Sequence, residues 1–369
     1  MVWSASAKNQ TLTCFSINSP PFNFNHTIAS AYYSAVFTGL GLSSNLFAFI
    51  VLVKAFQRAQ SPSRSSFLIF LSSLVVTDFM GLLVTGSIVV SFHVTRSDWR
   101  GLDPHCYFCN FMGMSMVFYG LCPLLLGAVM AGERFVGIHR PFARSANMSK
   151  SRALFTVLAV WVFAGCISLL PLAGLGSYHL QPPGSWCFIN ISSQPLDMTF
   201  CLIFSMVGLM SLAVSFLLNT VSVATLLRIC CGQGDMQRQR NHELEMMGQL
   251  VWIMIIASIC WCPLLVFIAQ TVLSGRHVQI GDLLLWIRFA TCNQILDPWV
   301  YILFRCSIFK CIFPAGKGRP RGSMISLYPT ITASRRRLSQ PLTGVEAACG
   351  GGAPCVEVLP TPPASGLLL

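Results

Sequence analysis

The sequence predicts an all-α membrane protein, a bundle of seven transmembrane helices followed by a short amphipathic eighth helix. Three observations predict it. The 369 residues are 54% hydrophobic and only 10% charged, with a mean hydropathy of +0.66, whereas an ordinary soluble domain carries about 25% charged residues. Seven apolar segments can be marked, at 29–53, 67–92, 109–132, 154–175, 198–227, 246–273 and 283–304, and about 20 such residues cross the ~30 Å hydrocarbon layer as a helix. Finally, Lys and Arg are strongly asymmetric: the segments after spans one, three, five and seven hold 3, 5, 3 and 8 of the 24, while the other side holds Lys8, Arg96, Arg100 and Arg276. The positive-inside rule then places the N-terminus outside and the C-terminus in the cytosol. The net charge of +12 is read as a signature of the inner leaflet, not of nucleic-acid binding.

The chain divides into an extracellular tail (1–28), the bundle (29–304), an amphipathic juxtamembrane helix (305–313) and a disordered cytoplasmic tail (314–369). The first tail has glycosylation sequons at Asn9 and Asn25, and no apolar run after Met1 resembles a signal peptide. The first span is therefore expected to act as its own insertion signal. Asn190-Ile191-Ser192 is a further outer sequon, and Asn147-Met148-Ser149 falls on the cytosolic side. Of 16 cysteines, Cys14, Cys106, Cys109 and Cys187 fall in outer segments, an oxidising compartment where four thiols allow three pairings. Pairing Cys109 with Cys187 would tie the second outer loop over the bundle, and Cys14 with Cys106 would then follow, free thiols at these two positions being the alternative. A zinc reading of Cys106-x-x-Cys109 lacks a second ligand pair.

Within the membrane, span one holds Asn45 and span two holds Asp78, a carboxylate near mid-depth. Span three runs from Cys109 to Glu133-Arg134, so one helix links the outer cysteines to an inner acid–base pair. Span four holds Trp161 and is expected to end at Pro171. Span six holds Trp261 and Pro263, where the missing N–H marks a hinge. Span seven is unusual in carrying two ions, Arg288 near its outer end and Asp297 about 13 Å deeper. Ions in hydrocarbon are costly, so this helix faces the bundle interior. A guanidinium offers two parallel charge-assisted donors, which suits a ligand with a carboxylate; a snorkelling side chain is the plainer alternative. After span seven, Phe309, Ile312 and Phe313 give the amphipathic stretch, and Arg335-Arg336-Arg337-Leu338-Ser339 is a site for phosphorylation at Ser339 or a basic run at the membrane surface.

Asn45, Asp78, Cys109, Glu133-Arg134-Phe135, Trp161, Cys260-Trp261-x-Pro263 and Asp297-Pro298-x-x-Tyr301 occur in this order. The ordered set resembles the rhodopsin-like G protein-coupled receptors over about residues 29–313. Within them, GSWCF at 184–188, LCPLLLGAVMAGERFVGIHRPF in span three and Arg288 ahead of ILDPWVYILF look like the prostanoid receptors. The resemblance implies a receptor, not an enzyme, at the plasma membrane, with no cofactor or metal. Its ligand is a carboxylate-bearing prostanoid, thromboxane by the runs LLVTG, SFLLNTVSVATL and CPLLVFIAQTVL, with a prostaglandin as the alternative. The implied lining is His93, Met116, Ser185, Trp186, Phe188, Trp261, Ile287, Arg288 and Thr291, although ordinary core packing also accounts for Met116, Ile287 and Trp261.

The implied partners are heterotrimeric G proteins, Gq/11 (phospholipase C and calcium) and G12/13 (Rho), with arrestin, receptor kinases and membrane lipid beside them. Agonist would favour a state in which span six swings on Pro263. The switch residues carried over are Asp78, Glu133, Arg134, Pro263, Asp297, Pro298 and Tyr301, with Glu133 and Arg134 paired at rest and Arg144, Lys150, Arg238 and Arg240 framing the docking site. No carboxylate lies between Cys109 and Glu133 to bind an amine, and no lysine lies in a span to bind retinal. Three departures stand out: Pro123 where many members have serine, Asp297 for asparagine, and no proline in span five. If Asp78 and Asp297 approach, they share a proton or a cation. A lipid transporter is the alternative from another class; a catalytic constellation is absent from the spans.

Overall fold

The computed structural model describes Cys14 and residues 30–58, 62–95, 99–139, 149–232, 237–275 and 280–305. Asn9, Asn25, Arg144, Ser339, residues 306–313 of the expected eighth helix and the 314–369 tail lie outside the described residues, as do the side chains of Arg238 and Arg240.

Helix α1 (Ala31–Gln57) starts where the Ser30 hydroxyl accepts from the Tyr33 N–H at 3.1 Å, a side-chain cap for one of the orphan donors of a first turn. The second span is a composite of α2 (Pro62–Gly81), a π-helical turn (Leu82–Gly86) and α3 (Ser87–Thr95). Small residues bring this turn against α1: a Cβ on Gly86 would sit 2.5 Å from Thr38 Oγ1, and one on Gly41 would sit 2.4 Å from Leu82 Cδ1. A short α4 (Trp99–Leu102) leads into α5 (Tyr107–His139), whose 33 residues reach roughly 50 Å.

Helix α6 (Lys150–Leu169) is capped by Ser149, which accepts from the Arg152 N–H at 3.3 Å. It ends earlier than the apolar pattern indicates. Beyond Leu169 the backbone closes in turns, with Ala173 N–H on Leu169 C=O at 3.2 Å and Gly174 at φ +96°, next to Pro171, which has no N–H to continue the ladder.

The second outer loop then forms an element that hydropathy does not reveal, a hairpin of β1 (Tyr178–Gln181) and β2 (Trp186–Ile189). The strands pair antiparallel from Tyr178 with Ile189 to Gln181 with Trp186. Helices α7 (Pro195–Gly232), α8 (Gln237–Ser274) and α9 (Ile280–Arg305) complete the bundle. Pro123, Pro263 and Pro298 all lie inside continuous helices.

Among the described residues six helical spans are long and apolar enough to cross a membrane. The seventh, α9, falls short of that measure because Arg288, Asn293, Gln294 and Asp297 interrupt its apolar face. It packs between α1 and α8, where those groups face protein. Two hydrophobic cores follow. The outer one joins the hairpin, Met112, Leu121 and Trp261, and the inner one joins Leu74, Met130, Met246 and Tyr301.

Candidate ligand cavity and inner switch

Two disulfides fix the roof of the bundle. Cys109, at the start of α5, bonds Cys187 in β2, and Cys14 bonds Cys106. Asp103 Oδ2 accepts from the Cys109 N–H at 2.8 Å, and Leu180 N–H donates to Cys14 C=O at 2.9 Å, so Cys14 is stitched to the hairpin. The Tyr178 hydroxyl donates to Ser168 C=O at 2.7 Å, and burial pushes this phenol up from its ordinary pKa. Burial holds the His179 imidazole below its ordinary value, partly opposed by Asp197.

Beneath this roof lie two adjoining cavities. The first encloses about 510 Å³, mouth included, between α1, the π turn and α9, with Arg288, Ser34, Trp186 and Ile287 in its wall. The second, about 390 Å³, is lined by Phe188, Trp261, Leu264 and Gln294, and the two share Thr85, Met116, Ile287 and Thr291. Arg288 Nη2 donates to Ser34 Oγ at 2.8 Å, and the guanidinium stacks 5.1 Å above the Tyr33 ring. The joined space thus has a cation in its wall and aromatic and aliphatic side chains deeper in. That lining is chemically suited to an anionic group attached to an apolar body.

Seven of the nine expected lining residues border this space: Arg288, Trp186, Phe188, Met116, Ile287, Thr291 and Trp261. Ser185 and His93 border neither cavity. Successive strand residues point to opposite faces, so Trp186 and Phe188 look into the cavities while Cys187 turns to its disulfide; Ser185 lies in the turn ahead of β2 and is buried there, away from both cavities. His93 is one helical turn beyond the lining residue Val89, past the outer edge of the cavity. Tyr33 and Ser34 were not anticipated. Both follow the N-cap of α1 by one turn, but nothing in the local pattern says that this turn meets α9.

The inner half is arranged differently. Arg134 Nε donates to Glu133 Oε2 at 2.6 Å, and the two form an ion pair; Arg134 also reaches Met246 Sδ at 3.7 Å and lies over the Phe67 ring at 5.3 Å. Higher up, Asn45 Nδ2 donates to Gln294 C=O at 2.8 Å, and Asn293 Nδ2 to Asp297 Oδ2 at 2.8 Å. Asp78 and Asp297 are buried and near enough to feel each other's charge. Both Asp78 oxygens, Asp297 Oδ1 and the Tyr301 hydroxyl are buried without a protein partner among the described residues. A third cavity of about 360 Å³ runs from Pro123 and Ser215 to Asn293 and Asp297. Among the described residues no three His, Cys, Asp or Glu side chains cluster as metal ligands.

Residues 44–301 match the family described as the 7 transmembrane receptor (rhodopsin family), and the chain belongs to that family: it is a membrane-spanning G protein-coupled receptor and not an enzyme. Among its relatives, the bovine (Bos taurus) thromboxane A2 receptor is 52% identical over 316 residues, covering 83% of this chain and 91% of the relative. The human (Homo sapiens) thromboxane A2 receptor is 50% identical over 330 residues, 86% of this chain and 95% of the relative. The human prostaglandin F2-alpha receptor is 40% identical over 288 residues, 77% and 80% of the two chains. The crystal structure of squid rhodopsin superposes with a TM-score of 0.61 over 81% of this chain and 90% of the other, at 19% identity, which reflects a common fold.

Proposed function

We propose that this receptor binds a carboxylate-bearing prostanoid, thromboxane, and signals through Gq/11 and G12/13. The observation that carries the reading is the joined cavity with Arg288 in its wall. The carboxylate pairs with the guanidinium, which Ser34 and Tyr33 hold in place, and the acyl chains run toward Trp186, Phe188 and Trp261. Two charge-assisted hydrogen bonds contribute about 1.5–3 kcal/mol each, offset in part by stripping water from both ions. Burial of the chains adds roughly 25 cal/mol per Å² of apolar surface. The names of the thromboxane A2 relatives support thromboxane over other ligands.

Agonist favours a state in which α8 moves about Pro263 and the inner face opens to the G protein, and only a difference in affinity between the two states drives this. Arg134, Glu133, Asp78, Asp297, Pro298 and Tyr301 are the groups whose partners change. The Lys and Arg bias supports an extracellular N-terminus and a cytoplasmic C-terminus at the plasma membrane. Glycans at Asn9 and Asn25, phosphorylation at Ser339, an amphipathic 305–313 helix, and arrestin and receptor kinases as later partners belong to the same reading. The prostaglandin F2-alpha relative keeps a prostaglandin as the second candidate ligand.

The test is calcium release from cells expressing wild type or Arg288→Leu at matched surface levels, dosed with a stable thromboxane mimetic and with prostaglandins E, D, F and I. A response to the mimetic at the lowest dose, lost in the variant, is expected. Silence to every prostanoid at good surface expression sinks the ligand assignment, and a variant equal to wild type removes Arg288 from it.

A further inference from the structure

The outer sequon Asn190-Ile191-Ser192 is built into a polar cluster at the top of α7. Asn190 Nδ2 donates to Asp197 Oδ2 at 2.7 Å and to Ser177 Oγ at 3.2 Å, so both of its amide hydrogens are used. Ser192, the hydroxyl residue that completes the sequon, donates to Asp197 Oδ2 at 2.5 Å, and Ser177 Oγ donates to Asp197 Oδ1 at 2.9 Å. Asp197 is 3% exposed and sits in the first turn of α7, where the helix dipole favours a carboxylate. The Asn190 main chain is held as well: its N–H donates to Ser177 C=O at 2.9 Å and its C=O accepts from Cys201 Sγ at 3.6 Å.

Ser177 directly precedes β1 and Asn190 directly follows β2, so the cluster closes the base of the hairpin that carries Trp186 and Phe188 over the cavities. We infer that Asn190 is not a glycan acceptor but a tie that positions the hairpin through Asp197. N-glycosylation replaces one hydrogen on Nδ2 with a sugar carbon, so a glycan at Asn190 removes one of its two hydrogen bonds and places a bulky polar group in a part-buried cluster. The site also lies five residues ahead of Pro195, where α7 begins, close to the membrane surface where the transferase has little room. The Asn190 amide nitrogen and the Ser192 hydroxyl, the two side-chain groups of the sequon, thus both serve the Asp197 cluster.

The tie is a property of the folded hairpin and is tested without any prostanoid. First, endoglycosidase-sensitive mobility is compared for the surface receptor with Asn190→Gln, Ser192→Ala and Asn9→Gln/Asn25→Gln. No change with the first two is expected; a band lost on Asn190→Gln overturns the inference. Second, hydrogen exchange across 177–192 is followed in the purified full-length receptor. Asn190→Asp sets two carboxylates against each other, and faster exchange by about tenfold or more is expected, since hydrogen bonds to a charged group are at stake. Asn190→Asp/Asp197→Asn exchanges donor and acceptor, and the serine hydroxyls serve as either, so protection returns toward wild type. Unchanged exchange in the single variant, or no recovery in the double, shows that the pair does not position the hairpin.

Discussion

The outer hairpin and the inner carboxyl pair of this receptor handle buried polar groups differently. The hairpin is tied at both ends by two disulfides, Asp103 on the Cys109 N–H, Tyr178 on Ser168 and the Asp197 cluster, although Ser185 Oγ in its turn stays without a protein partner among the described residues. In the inner half, Asp78, Asp297 Oδ1 and Tyr301 keep buried atoms without protein partners among the described residues. An unmade buried hydrogen bond costs about 1–3 kcal/mol. The difference teaches that one half is built to hold a shape, and the other stays in a state that a modest rearrangement can improve.

That contrast is open to attack, starting with the largest effect. Cys187→Ser removes a cross-link between α5 and the hairpin, and native disulfides contribute about 2–5 kcal/mol; radioligand binding at matched surface expression should be lost. Retained binding would mean that the roof does not need its staple. Next, Arg288→Lys keeps the charge but loses the planar fork. The mimetic's Kd should weaken about tenfold to a hundredfold, the loss of one charge-assisted hydrogen bond, and an unchanged Kd would argue against bidentate pairing.

A smaller effect is expected at Gly120, where a new Cβ would lie 2.7 Å from Trp261 Cη2. Gly120→Ala should push the indole into the cavity floor and lower thermal stability, overpacking costing about 1–3 kcal/mol; a melting curve on purified receptor that matches wild type would show that Trp261 has room to move. In the inner half, Asp297→Asn removes one of two neighbouring buried carboxyl groups. It should raise stability slightly while altering basal signalling, and a large loss of stability instead would place the inner half among the tied-down regions.

The least effect concerns pH. Burial lowers the His179 pKa, so the folded hairpin favours the neutral ring, and this contribution is whole above the unfolded value of about 6.5. It falls away as pH drops below that value toward the lowered folded one, because the unfolded chain then binds more protons. Hairpin protection, measured as exchange relative to the intrinsic rate at each pH, should therefore fall modestly between about pH 7 and 5, and His179→Gln should flatten the profile.

How much of this was legible in the sequence follows from the range of each interaction. Apolar length and the Lys and Arg count predict the helical spans, because the bilayer imposes both locally. The lining residues on α5, α8, α9 and β2 are legible through the ordered motif set, since spacing along one helix fixes depth. The hairpin is not, because four-residue strands carry almost no periodic signal and depend on the disulfide to Cys109. Nor is the role of Ser34, whose partner Arg288 is 254 residues away. Ser185 shows the limit of adjacency: next to Trp186 in sequence, it belongs to the turn ahead of the strand and borders neither cavity.

The π turn at Leu82–Gly86 has one more consequence. Accommodating an extra residue in a helical turn offsets everything beyond it by roughly 100° from the phase an unbroken α-helix would give. The face of span two that carries Asp78 and the face that carries Val89 are therefore set by different clocks. Insertions or deletions inside these five residues would re-aim the outer segment, with Val89 in the cavity wall, like a dial while the inner segment with Asp78 stays in place.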